Sequence, residues 1–242
     1  MGDEFYQVDQ MLGSICNINE KNVYNLFNAD LKSIEPVAGK ITTDFSKAIG
    51  ASGLHVNSYN IDTGGIKLTF YVGGAYKEDC YINTSNLIAE CRTCSIKTGE
   101  DNFEYIAVLT SFDVKETGIE YYNEVVLTFS AIKRLPMETK IFDGCNGVFK
   151  NRGSIESGAR ITITPKSDME SITVNGITIN NLSANLPFII DGLVGEIMCS
   201  GVNRFLDTDL VDFPKVQSGE NIIEVSSTNA KVEISFYPTF IV

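Results

Sequence analysis

The chain has no tryptophan and one histidine, His55, among its 242 residues. A nucleophile–base system of the Ser-His-Asp or Cys-His kind would have to draw on His55 alone. It sits in the strand-like run Gly53-Leu54-His55-Val56-Asn57, without a G-x-S-x-G elbow, and is read as a half-buried, hydrogen-bonded side chain. Long apolar runs are also missing. No window nears the roughly 18 uninterrupted apolar residues that span a bilayer, and the opening MGDEFYQVDQ has neither a basic nor an apolar stretch. Neither membrane insertion nor a leader is expected, and the chain is read as made and kept in the cytosol. Basic residues are scarce: 19 against 31 acidic ones give a net charge of −12, which disfavours a surface built to neutralise phosphates. The six cysteines, Cys16, Cys80, Cys91, Cys94, Cys145 and Cys199, lack the dense spacing of a secreted disulfide scaffold and are expected to remain thiols.

What is present is the balance of a folded globular protein, 43% hydrophobic and 21% charged. Short runs alternate apolar and polar residues between Gly, Asn, Asp and Ser, the period-2 pattern of half-buried strands. Ile66 to Val72, Tyr105 to Leu109, Val125 to Phe129, Arg160 to Thr164, Ser171 to Val174, Ile222 to Val225 and Val232 to Phe236 are the clear cases. One helix is predicted near Glu78 to Arg92, with Leu87, Ile88 and Cys91 on one face and Asn83, Ser85, Asn86 and Glu90 on the other; Asp79, Thr84 or Ser85 would cap it. A break at Leu135-Pro136, followed by the Gly- and Asn-rich Phe142 to Gly147, predicts two domains, 1–136 and 137–230. Turn signals at Asn175-Gly176, Asp191-Gly192 and Ser218-Gly219 give the second the rhythm of a β-sandwich. The fold class is mainly β: two β-sandwich-type domains, the first with one packing helix.

Each motif that bears chemistry has a plainer reading. Cys91-Arg92-Thr93-Cys94 has the spacing of a redox pair or half a zinc site, but no second cysteine pair completes it and it closes a helix instead of opening one, so it is read as chance spacing. Asp207, Asp209 and Asp212 form an acidic cluster without the pattern of a calcium loop and are read as solvated. Asn83-Thr84-Ser85 matches a glycosylation acceptor inside the predicted helix and is discarded. Gly73-Gly74 lacks a phosphate-cradling pattern and is read as a strand-end turn. Ten Tyr and fourteen Phe leave room for sugar stacking, although Phe70, Tyr105, Phe129 and Phe236 occupy strand positions that core packing explains. No catalytic, metal or cofactor-binding residue is assigned, and interface residues are unknown from sequence.

The stretch Phe188-Ile189-Ile190-Asp191-Gly192, and then Asp212-Phe213-Pro214-Lys215-Val216-Gln217-Ser218-Gly219-Glu220-Asn221-Ile222-Ile223, resembles the second domain of siphophage distal tail proteins. The shared element is a Phe-Pro leading into a Gly-x-Asn turn and an apolar strand. Physically, Pro214 fixes the entry to a turn, Gly219 supplies a positive φ and Asn221 bonds its own backbone. The closing Val232 to Phe240, with its aromatic-x-Pro segment, is similar to the family's last strand, and the order of elements from Tyr24 to Ile132 agrees more loosely.

The resemblance implies a structural virion protein and not an enzyme. Its first domain would join six copies into a ring, its second would be galectin-like, and the resemblance leaves open a return of the closing strand, at about 231–242, to the first. It implies a baseplate hub at the tail tip, assembled in the bacterial host cytoplasm. Its partners would be the tail tube protein and a tail-associated baseplate or fibre protein, with DNA passing through the channel without specific binding. It implies no cofactor and supplies no catalytic residue. The rival reading is a carbohydrate-binding, lectin-like sandwich, which requires a groove lined with exposed Tyr or Phe; an enzyme acting through the acidic cluster or Cys91 and Cys94 ranks last.

Overall fold

The computed structural model describes residues 16–39, 41–46, 55–61, 64–99, 102–119 and 121–241. The protein is mainly β and divides into two compact units, residues 1–133 with 241–242, and residues 134–240.

In the first unit the elements run β1 (Cys16–Ile18), β2 (Lys21–Asn22), α1 (Val23–Phe27), β3 (Ala29–Val37), β4 (Ile41–Ser46), β5 (His55–Ile61), β6 (Gly65–Gly73), α2 (Lys77–Glu90), β7 (Thr93–Thr98), β8 (Glu104–Glu116) and β9 (Tyr122–Arg134). Their main sheet has the order β2-β1-β7-β8-β9-β6-β3, while β4 and β5 pair only with each other among the described residues. Strand β9 shows why the sheet forms: Val125, Leu127, Phe129 and Ala131, two apart, are buried on one face. They share a core with Leu68, Phe70 and Val72 of β6 and with Leu87 and Cys91 at the end of α2. Each of the valine, leucine and phenylalanine side chains contributes about 1.5–3 kcal/mol by leaving water.

Helix α2 begins differently from the sequence expectation. Its N-cap is Tyr76, and Asp79, in the first turn, reaches back so that its Oδ2 accepts the Tyr76 N–H at 3.0 Å; Thr84 and Ser85 lie inside the helix. A tyrosine is a poor cap by type, so the local signal pointed to Asp79 itself. The five-residue α1 carried no 3.6 period to read; it is held by its ends, where Asn22 Oδ1 accepts the Asn25 N–H at 3.1 Å and Asn28 takes a left-handed φ of 46°.

The second unit continues with β10 (Glu138–Asp143), β11 (Gly147–Asn151), β12 (Ser157–Pro165), β13 (Met169–Val174), β14 (Ile177–Leu182), β15 (Phe188–Asp191), β16 (Glu196–Cys199), β17 (Val202–Asn203), β18 (Lys215–Val216), β19 (Gly219–Ile223), β20 (Ala230–Phe236) and β21 (Thr239–Phe240). One layer has the order β10-β20-β12-β15-β16-β17. The other joins β14-β13 and β11-β19 through the residues after β19: Asn175 N donates to Glu224 O at 3.0 Å and Ser226 N to Thr173 O at 3.0 Å. Ile161, Ile163, Phe188, Ile190, Val232 and Phe236 of the first layer meet Phe149, Ile172, Val174, Ile179 and Ile223 of the second in one core, which makes the unit a β-sandwich. The turn between β13 and β14 is Asn175-Gly176, with φ of 48° and 82° at its two central residues, as a two-residue hairpin demands. Strand β20, the last long strand, lies between β10 and β12 inside this unit, and residues 241–242 group with the first.

Candidate interaction surfaces

The residues singled out from sequence serve packing and local hydrogen bonding within their own units. Cys91 caps the end of α2, its N–H donating to Leu87 O at 3.1 Å, and Cys94 lies in β7, its Sγ donating to Cys91 O at 3.6 Å. Both are buried beside Cys16. Burial, with the neighbouring Cys94, pushes the Cys16 thiol up to about 12; the hydrogen bond with Cys94, and then burial, push Cys91 up as well. Cys16 and Cys91, held protonated, are poor nucleophiles and metal ligands, while the hydrogen bond with Cys91 lowers the Cys94 thiol against the opposing effect of burial. Among the described residues, no three Cys, His, Asp or Glu side chains are arranged to hold a metal ion. His55 begins β5 opposite Ser46; residues 53 and 54 beside it, and its side chain, lie outside the described residues.

The acidic cluster works as separate anchors. Asp207 forms an ion pair with Arg204, and Asn181 Nδ2 donates to its other oxygen at 2.7 Å. Asp209 Oδ1 accepts the Thr178 N–H at 2.6 Å. The Arg204 guanidinium, helped by Asn181, holds the Asp207 carboxyl below the usual range, and the Thr178 hydrogen bond does the same for Asp209. Asp212 lines a cleft of about 240 Å³ in the second unit, with Phe149, Ile177 and Asn221. The loop tied down in this way presents Leu206, 97% exposed, and Val211, 93% exposed. Nothing in the sequence marks them, because an exposed and a buried leucine look alike without a period around them.

The Phe-Pro to Gly-x-Asn segment crosses between the two layers. Val216 of β18 pairs with Ser157 of β12, and Gly219 of β19 pairs with Asn151 of β11. Gly219 has φ +87°, and Asn221 locks the turn: its Oδ1 accepts the Gln217 N–H at 2.9 Å while its Nδ2 donates to Gln217 O at 2.9 Å and Gly219 O at 3.1 Å. Ahead of it, Gly192 has no room for a side chain, since a Cβ there would stand 2.5 Å from Pro214 O and 2.8 Å from Ala159 O. Asp191 beside it is buried, its Oδ2 receiving Arg160 Nε at 2.7 Å and Nη2 at 2.6 Å and its Oδ1 the Leu193 N–H at 2.9 Å. The motif is thus the joint that fixes one layer on the other.

In the first unit, Gly73 ends β6, and Gly74 after it packs against the backbone of α2. Asn83, Thr84 and Ser85 lie within α2, where Asn83 Nδ2 donates to Gly73 O at 2.9 Å. Phe70, Phe129 and Phe236 are buried, and Tyr105 packs against the core. An exposed apolar area that the sequence did not mark lies where β8 runs on past β7. Strand β7 pairs with β8 from Tyr105 to Val108, Leu109 N donates to Arg92 O at 3.1 Å, and Thr110 through Glu116 are all exposed. Phe112, 58% exposed, and Val114 line an open groove of about 520 Å³ with Tyr81, Ile88 and Leu109.

No family model matches the chain, and no curated protein matches it. A solved structure does. The Dit protein of phage SPP1, described as a paradigm of the hub adsorption apparatus in phages that infect Gram-positive bacteria, superposes with a TM-score of 0.73 over 94% of this chain and 99% of its own. The chain has the fold of that hub protein. At 10% identity the likeness shows the fold, and it spans both units. The baseplate of phage P2 in its activated conformation with calcium aligns over 86% of this chain and 90% of its own at 13% identity, with a TM-score of 0.47, too low to add weight.

Proposed function

We propose that this protein is a structural distal tail protein of a siphophage-like particle, a hub that joins six copies in a ring between the tail tube and the baseplate or tail-tip proteins. The observation that carries the reading is the match to a phage hub protein along nearly the whole length of both chains. A fold by itself does not fix a function. Here it is joined by the Phe188–Gly192 and Asp212–Ile223 pattern, read from the sequence on independent grounds, and by motif residues engaged in packing and turns. In this reading the first unit forms the ring, and the second, residues 134–240, is a galectin-like sandwich at its outside. The channel passes DNA without specific binding, and the net charge of −12 keeps a polyanion from adhering to the wall. The protein acts as a scaffold and not as an enzyme, in a virion tail tip assembled in the host cytoplasm.

The test is the mass of the purified protein by light scattering across a range of concentration, with negative-stain imaging of the large species and of the protein mixed with its tail tube protein. Closed rings of six with an open centre are the expected result. A chain that stays a single copy even with the tube protein, and that binds glycans on an array, would overturn the hub in favour of a lectin-like module.

A further inference from the structure

The two strand pairs of the second unit's second layer, β13-β14 and β11-β19, border a cleft of about 240 Å³. Ile177 of β14 stands on one side, Phe149 of β11 on another, and Pro214 and Val216 of the crossing segment close a third. The floor is Ile161 of β12 and Ile234 of β20, side chains of the facing layer that are each 2% exposed. All six are apolar. At about 30 Å³ for a group the size of a water molecule, the cleft has room for about eight such groups, enough for a six-carbon chain ending in nitrogen. It is smaller than the roughly 300–1,000 Å³ of pockets that hold drug-sized ligands.

The rim says what fits. Lys215 is held by Glu156, Nζ to Oε1 at 2.8 Å, so these two charges cancel. Both ends of the Asn175 amide are engaged, Nδ2 donating to Ile222 O at 3.4 Å and Oδ1 accepting the Glu224 N–H at 2.8 Å, and Asn221 is engaged in its own turn. Asp212 is exposed, and among the described residues its carboxylate has no hydrogen bond or ion pair, only its field at Lys215. An acceptor carrying one negative charge at the mouth of an apolar slot selects a cationic donor on an apolar stem and rejects an anion. A sugar does not match, because the Phe149 ring is 8% exposed and offers no open face for stacking.

We propose that this cleft binds a small aliphatic primary amine, its ammonium on Asp212 and its stem of about six carbons against Ile161 and Ile234. The site lies wholly within the second unit and goes beyond the hub reading. A lysine side chain of another protein offers the same chemistry on a stem two carbons shorter, so a free amine of six carbons is the better fit.

The full chain tests it by methyl NMR with hexylammonium as the probe. The methyl signals of Ile161, Ile177 and Ile234 should shift and saturate, while those of Ile96, in the core of the first unit, stay in place. Butylammonium should bind about fifteenfold more weakly, since each buried CH₂ is worth about fourfold. Hexanol, and hexylammonium on Asp212→Asn, should each bind about three- to fivefold more weakly, the worth of an ion pair at an exposed rim. Hexanoate should leave the three methyls unmoved. Glu170→Gln makes the same change of net charge on an exposed residue outside the cleft and should bind as wild type does. Methyls that do not shift, affinity that ignores chain length, or an Asp212→Asn variant as tight as wild type or as Glu170→Gln would each overturn the proposal. So would a lysine peptide blocked at both ends that binds more tightly than hexylammonium, which would assign the cleft to a partner's side chain. None of these readouts depends on ring formation, so the result stands apart from the hub reading.

Discussion

Breaking the ion pair at the joint of the second unit should cost far more than removing it whole. The Asp191 carboxylate is buried, with two bonds from Arg160 and one from the Leu193 N–H, while 40% of the Arg160 side chain remains exposed. Removing one partner of a fully buried pair costs about 3–5 kcal/mol, because the other charge is stranded. Solvent access at Arg160 lowers that figure, so Arg160→Met is expected to destabilise the unit by about 2–3 kcal/mol. Asp191→Leu leaves a guanidinium that can turn to water and one N–H without an acceptor, for about 1–2 kcal/mol. With both changed, only the orphaned N–H remains, at about 1 kcal/mol, so the two effects should fall short of additivity by roughly 2–4 kcal/mol. Urea titration followed by hydrogen exchange in β12 and β20 peptides reads the second unit separately from the first. Additive single effects, or a coupling below about 0.5 kcal/mol, would refute the assignment of Arg160 as the partner that makes the buried carboxylate tolerable.

Other outcomes follow from the same geometry. Gly219→Val, at φ +87° where a β-branched residue is strained, should lower stability by about 1–3 kcal/mol in chemical denaturation, and a neutral result would mean that the turn relaxes. Asp207 and Asp209 have carboxyls held below their ordinary values by Arg204 and the Thr178 N–H, so their contribution is present above the ordinary value of 3.8 and is lost as pH falls through the still lower folded values. Proteolysis of the 203–212 loop should accordingly rise only below about pH 4, and Asp209→Asn should weaken that dependence. In the native protein a thiol reagent should label exposed Cys145 first and Cys199 next, with Cys16, Cys80, Cys91 and Cys94 reacting only on unfolding; early reaction at Cys91 or Cys94 would contradict their burial. A chelator should leave the melting temperature within about 1 °C, since a metal that binds only the folded state would stabilise it by mass action.

Much of the fold was legible because alternation survives in strands that bury one face. Val125 to Phe129 and Arg160 to Thr164 could be read directly, and so could the apolar stripe of Leu87 and Cys91 on α2. Gly219 and Asn221 were legible as turn chemistry, since a positive φ and an Asx hydrogen bond are local properties. The remainder depended on distant partners. Tyr76 caps α2 only because Asp79 reaches back to its N–H. Asp207 and Asp209 looked like a cluster in sequence, but they also bind Asn181 and Thr178 of β14, a pairing that no spacing encodes. The β8 edge was hidden for a related reason. Residues 105–109 are all apolar and alternation begins only at Phe112, so only the shortness of β7 decides where pairing stops.

The place of β20 in its sheet constrains the order of events as the chain is made. Its partners β10 and β12 are synthesised some seventy to a hundred residues earlier, since Glu138 and Ala159 both pair with Phe236. Until Phe236 leaves the ribosome the two halves of that layer have no strand between them, and the apolar faces of Ile161 and Ile163 lack the cover of Val232 and Ile234. Pairings so distant in sequence make for slow closure, and the waiting edges are open to other chains meanwhile. Damage to the last dozen residues would thus be felt at the middle of the second unit and not at its end.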